Sequence, residues 1–242
     1  MMPRTLLVAS SLSVVVLASF LTQSPRALLT RLVALDGLFF GIHVVARLLR
    51  LPLRSPLFLS TDQGFAEVFQ YLKFALAATV WLVTYVRTRQ PIMLGWGALF
   101  AYLVLDDLLE LHENLATWLI LRLGHMPTWG LLAEAQMAEL VLGLALGGAV
   151  LFGLGLLYRR SDASARRVSR VVALLTMALW FCGVAIDAIH SAVEMVKLRY
   201  LDQALILAED GGEMLVASAI LAYARHVWTT GSPDRQARSG RG

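Results

Sequence analysis

Runs of about twenty apolar residues recur from one end of the chain to the other, and this narrows the possible folds more than any other feature. A helix rising 1.5 Å per residue needs about 20 residues to cross the ~30 Å hydrocarbon core of a bilayer. Seven such runs are legible, at 5–22, 28–50, 65–87, 92–121, 129–158, 170–197 and 202–228. The loops between them are too short for a separate soluble domain. The expectation is therefore an all-α, polytopic membrane helical bundle of about seven transmembrane helices. It forms one domain over 1–228. The polar, Arg- and Gly-rich stretch 229–242 is expected to be a disordered cytoplasmic tail. Apolar residues make up 58% of the chain, against roughly 45–50% in a soluble domain, which argues against an ordinary soluble fold.

The first run begins like a secretory signal, with Arg4 followed by apolar residues through Phe20. Pro25 follows closely and no small-x-small cleavage site precedes it, so a retained helix is expected. Arginines gather in alternate loops. Arg26, Arg31, Arg87, Arg89, Arg159, Arg160, Arg166, Arg167, Arg170 and Arg225 fall on one side. The positive-inside rule makes that side cytoplasmic. The N-terminus is then extracytoplasmic and the C-terminus cytoplasmic, in the cell membrane. The net charge of +4 reads as topology, and no basic patch with interleaved aromatics suggests nucleic acid. Cys182 is the sole cysteine, so neither an internal disulfide nor a cysteine metal motif is available.

Acidic residues lie inside these apolar runs, where a carboxylate costs a few kcal/mol or more and usually serves a function. Leu105-Asp106-Asp107-Leu108-Leu109-Glu110-Leu111-His112-Glu113 is the densest case. Asp187, His190 and Glu194 follow in the sixth run, and Glu209, Asp210 and Glu213 in the seventh. With Glu67, Gln70 and Tyr71 in the third run, these groups all fall in the same half of the membrane. At about 100° per residue, Asp106, Glu110 and Glu113 share one stripe, whereas Asp107 lies off its edge and His112 points away. Asp187, His190 and Glu194 form a second stripe, and Glu209 and Glu213 a third flanked by Asp210. Glu134 and Glu139 in the fifth run do not share a face.

So many carboxylates cannot stand bare in a low-dielectric space. One or two divalent cations would neutralise them, with Asp106, Glu110, Glu113, Asp187, His190, Glu209 and Glu213 as metal ligands. Oxygen-rich sets with an imidazole suit Fe, Mn, Mg or, less well, Zn. The set resembles di-iron and di-manganese carboxylate bundles in architecture, although His112 is out of phase for a second acid-x-x-His step. Asp106-Asp107-x-x-Glu110 also has the spacing of the aspartate-rich motif of isoprenoid enzymes, but no basic residue lies near enough in sequence to clamp a pyrophosphate. The His-x-x-x-His pair of seven-span membrane hydrolases and the last-span lysine of retinal proteins are missing.

The leading expectation is a metal-dependent membrane enzyme, a hydrolase or oxidoreductase. It would act on a membrane lipid or other apolar small molecule, with Glu194 and Tyr71 as the catalytic pair. The alternative is a proton- or cation-coupled transporter using the same acids. Lys73 is expected to snorkel toward the interface, and His43 to be a satisfied interior histidine. Gly143-x-x-x-Gly147 reads as a helix-packing surface, and Gly211-Gly212 as a site of close backbone approach.

Overall fold

The computed structural model describes residues 16–52, 55–61, 63–124, 134–186, 189–190 and 199–231. The side chains at 113, 134–136, 139, 140, 199, 200 and 202 are excepted. All regular structure among the described residues is helical. Residues 16–22 form α1. The other helices are α2 (Pro25–Leu48), α3 (Phe65–Thr88), α4 (Pro91–Leu109), α5 (Leu111–Leu123), α6 (Glu134–Arg159), α7 (Ala163–Trp180) and α8 (Arg199–Thr230). A π-helical turn, Phe181–Ile186, continues α7.

Local chemistry sets the helix starts. The Ser24 hydroxyl accepts from the Ala27 amide and Pro25 occupies the first turn of α2, where its missing N–H costs nothing. Asp162 caps α7 by accepting from the Ala165 amide at 2.7 Å. Glu67, in the first turn of α3, accepts from the Gln63 amide ahead of the helix. Gly64, between them, sits where a β-carbon would lie 2.6 Å from the Thr61 carbonyl oxygen. The turns that join α3 to α4 and α6 to α7 are stitched together. The Ile92 amide donates to Ser161 Oγ at 3.1 Å, and the Asp162 amide to Gln90 Oε1 at 3.0 Å.

α3 packs against α4 and α8, and α8 also packs against α2 and α7. Trp81, Phe69, Phe74 and Phe100 are fully buried there with Leu221 and Ile220. α6 is the opposite case, exposing Leu144, Leu151 and Phe152. The glycines Gly143 and Gly147 have nothing within 4 Å of a β-carbon position. Met177, Trp180 and Phe181 are exposed on the other outer face. Apolar surface on this scale is an aggregation hazard in water and ordinary in lipid.

Among the described residues, five helical segments are long and apolar enough to cross a membrane: Pro25–Leu48, Phe65–Thr88, Pro91–Leu109, Val141–Arg159 and Ala163–Ile186. Among the described residues, five such segments stand against the seven runs expected from the sequence. Most of the first expected run lies outside the described residues. α8 covers the seventh run but is not among the five, because Glu209, Asp210 and Glu213 load its first half and Arg225 and His226 its last. The fourth run does not continue as one helix to residue 121. Glu110 takes the left-handed conformation, with φ 50° and ψ 43°, and ends α4. α5 starts on a new axis immediately after it.

Candidate functional site

The break at Glu110 redistributes the densest acidic run. Asp106 does not share a stripe with Glu110. Its Oδ1 accepts from the His112 amide at 3.1 Å and from the Tyr102 hydroxyl at 3.3 Å. Its Oδ2 lies 3.2 Å from His112 Nδ1. Asp106 therefore caps the start of α5, and His112, expected to point away, turns back to it because the helical phase resets between them. Glu110 is exposed. Asp107, expected at the edge of the stripe, instead faces the interior of the bundle.

There it joins a cavity of about 270 Å³ bounded by Glu67, Gln70, Asp107, Glu209, Asp210 and Glu213, with Leu59, Ser60, Thr61 and Met214. α3, α4 and α8 supply the acids and residues 59–61 form the rim. His43 pins that rim: its buried Nδ1 accepts from the Leu59 amide at 3.0 Å, and its ring meets Phe58 edge-on. The role expected for His43, a satisfied interior histidine, fits this geometry.

Glu67, Glu213 and Glu209 are held by neutral donors and one imidazole. The Tyr71 hydroxyl donates to Glu67 Oε1. Gln70 Nε2 donates to Glu213 Oε2 at 2.9 Å. His190 Nδ1 lies 2.9 Å from Glu209 Oε2. The glycine pair works here as a contact surface. A β-carbon at Gly211 would lie 2.9 Å from Phe40 Cζ, and one at Gly212 would lie 2.6 Å from Cys182 Sγ. The π-helical turn presents Gly183 directly beneath the Glu213 carboxylate, which leaves that carboxylate room to face the cavity.

Of the expected metal ligands, then, Glu209 and Glu213 wall the cavity and His190 reaches it through Glu209. Asp106 and Glu110 do not line it. Asp187 and Glu194, and the side chain of Glu113, lie outside the described residues. Among the described residues, His, Cys, Asp and Glu form no group of three or more placed to hold one metal ion. The carboxylates surround a space without converging on a point.

Beneath the cavity lies a cluster that sequence reasoning did not assemble. Lys73 Nζ donates to Asp36 Oδ1 at 2.9 Å, to the Met214 carbonyl at 2.7 Å and to Ser218 Oγ at 3.2 Å. Ser218 Oγ donates to Asp36 Oδ2 at 2.6 Å. Lys73, Asp36 and Ser218 are all at 0% exposure, so Lys73 does not snorkel. Met214 belongs to both places: it lines the cavity and its carbonyl receives the lysine. Asp36 left a trace in the sequence, as an isolated acid in the middle of an apolar run. A lone acid has no partner at helical spacing, so it falls outside the pattern of recurring acids.

The family model described as "Domain of unknown function (DUF8692)" matches residues 44–227. The chain belongs to this family. The matched segment holds every cavity acid, Lys73 and Ser218, whereas Asp36 precedes it. No curated protein and no solved structure matches the chain.

Proposed function

We propose that this DUF8692 protein is a multi-pass membrane transporter that admits a cation into the acid-walled cavity and couples its passage to protons. One observation carries the reading. The same two helices, α3 and α8, line cavities at both ends of the bundle, and between the cavities Lys73 of α3, bonded to Met214 and Ser218 of α8, pairs with Asp36 of α2. At the far end, a cavity of about 230 Å³ is lined from α3 by Thr84, Arg87 and Thr88 and from α8 by Val227 and Trp228. Lys73 is one helical turn, ~4.5 Å, from Gln70 at the acidic cavity. It is eleven residues, ~16 Å, from Thr84 at the other. Buried Phe74, Trp81, Ala217 and Leu221 fill the interval.

An ionisable pair inside a membrane bundle marks a substrate or proton pathway by default. A cavity walled by five carboxylates attracts cations and disfavours anions. Because the acids surround a space, they suit a cation that keeps its water, as Mg²⁺ commonly does with one or two carboxylates. The arginine-rich turns beside the far cavity support a cytoplasmic side for it under the positive-inside rule.

The test is flux into proteoliposomes holding ion- and pH-sensitive dyes, under imposed gradients of Mg²⁺, Mn²⁺, Na⁺, K⁺ and tetramethylammonium. The expected result is flux of at least one cation, cut tenfold or more in Glu213→Gln and Asp210→Asn. No flux of any cation overturns transport. If elemental analysis also finds stoichiometric Fe, Mn or Zn, the metal-dependent enzyme expected from the sequence replaces it.

A further inference from the structure

Lys73 and Lys197 are the only lysines in the chain. Lys73 is fully buried, and each hydrogen of its ammonium has an acceptor on Asp36, Met214 or Ser218. The Phe69 ring centroid is 4.4 Å from Nζ. The groups around it come from every packed helix. α2 presents Asp36. α8 presents the Met214 carbonyl and Ser218, with Glu213 adjacent on the cavity side. α4 presents Phe100 against Phe74, with Asp107 farther out at the cavity wall. α3 itself adds Gln70 and then Glu67 toward the opening. The balance of charge at Lys73 is therefore set by Asp36 and by whatever the acidic cavity contains.

We propose that Lys73 is a proton-binding site coupled to the cavity, so that a cation entering among Asp107, Asp210 and Glu213 displaces one proton from Lys73 and the protein works as a cation/proton exchanger. The inference rests on the cavity being the cation site. Electrostatic repulsion gives its direction. With the cavity empty of cations, the Lys73 ammonium neutralises Asp36. A cation held among the cavity acids, across Met214 from Lys73, repels the ammonium through the low-dielectric interval. One N–H bond of Nζ then breaks and the proton leaves to water in the cavity. The resulting amine keeps two hydrogens for its two shorter contacts, the Asp36 carboxylate and the Met214 carbonyl, and gives up the 3.2 Å contact to Ser218. Departure of the cation reverses the step. Like charges competing for one low-dielectric region exclude each other, which makes the coupling an exchange and not a co-transport.

The rarity of lysine allows a direct test. The full-length chain carrying Lys197→Arg, labelled with ¹⁵N on lysine, shows a single side-chain nitrogen resonance, that of Lys73. Its shift reports whether Nζ is an ammonium or an amine. The protein in detergent micelles is titrated with and without Mg²⁺, and calorimetry on the same samples measures Mg²⁺ binding. The expected result is a titration midpoint lowered by at least one pH unit when Mg²⁺ is bound, with binding and shift both lost in Glu213→Gln. Mg²⁺ binding with an unmoved midpoint overturns the exchange and leaves the cavity reading standing. Absence of Mg²⁺ binding overturns both for this ion. No substitution is made in the buried cluster, so failure to fold does not enter the outcome.

Discussion

Asp36 Oδ1 and Lys73 Nζ meet 2.9 Å apart, and neither side chain is exposed. Removing one member of such a pair strands the other charge, at a cost of about 3–5 kcal/mol, whereas replacing both with apolar residues is often neutral. Lys73→Met should therefore destabilise the protein strongly. Lys73→Met combined with Asp36→Leu should recover most of the loss. Denaturation in detergent checks the pair, and a double variant as unstable as the single one contradicts the account.

Ser218→Ala should cost about 1–3 kcal/mol, the penalty for leaving a buried acceptor unsatisfied. The acceptor is Asp36 Oδ2, which receives the Ser218 hydroxyl at 2.6 Å. Thermal unfolding in detergent measures the effect. A change under about 0.5 kcal/mol, the range of ordinary surface substitutions, would show that another donor takes over.

Cation binding should separate the acids by position. Asp210→Asn and Glu213→Gln should weaken Mg²⁺ binding tenfold or more, about 1.4 kcal/mol each. Glu110→Gln should leave it unchanged, since Glu110 is exposed at the α4–α5 break. Isothermal calorimetry checks all three, and equal losses would place the binding site elsewhere.

Gly212→Leu should force α8 away from the π-helical turn, because even a β-carbon would lie 2.6 Å from Cys182 Sγ. Cys182 is the only cysteine, so the rate of maleimide labelling reports the opening without further engineering. Labelling should accelerate severalfold. An unchanged rate would mean the two segments accommodate the larger side chain without separating.

His43→Ala should loosen the cavity rim by removing the acceptor for the Leu59 amide. Hydrogen exchange at residues 57–61 should then speed up by about tenfold, the equivalent of ~1.4 kcal/mol. Protection that persists would assign the rim's order to Gly64 and the Thr61–Ser55 hydrogen bond at 3.0 Å.

The helical character of the chain was legible because apolar runs of bilayer length have few other ways to satisfy their backbone. The gathering of Glu67, Gln70, Glu209 and Glu213 at one end followed from depth along each run, which fixed rise per residue makes easy to count. Phase failed where the helix stopped. Leu109-Glu110-Leu111 contains neither glycine nor proline, so nothing in its composition announces a left-handed residue, and His112 turns back to Asp106 instead of away from it. The Asp36–Lys73–Ser218 cluster stayed hidden for another reason. Its members stand 37 and 145 residues from one another in the chain, and an isolated charge carries no periodicity.

The stitch between Gln90, Ile92, Ser161 and Asp162 constrains how the molecule can rearrange. Each hairpin turn commits one amide and one side-chain oxygen to the other, so the α3–α4 and α6–α7 hairpins are tethered at that end. α8 takes no part in the tether. Any displacement of α8 against that frame must work against its packing on α2, α3 and α7.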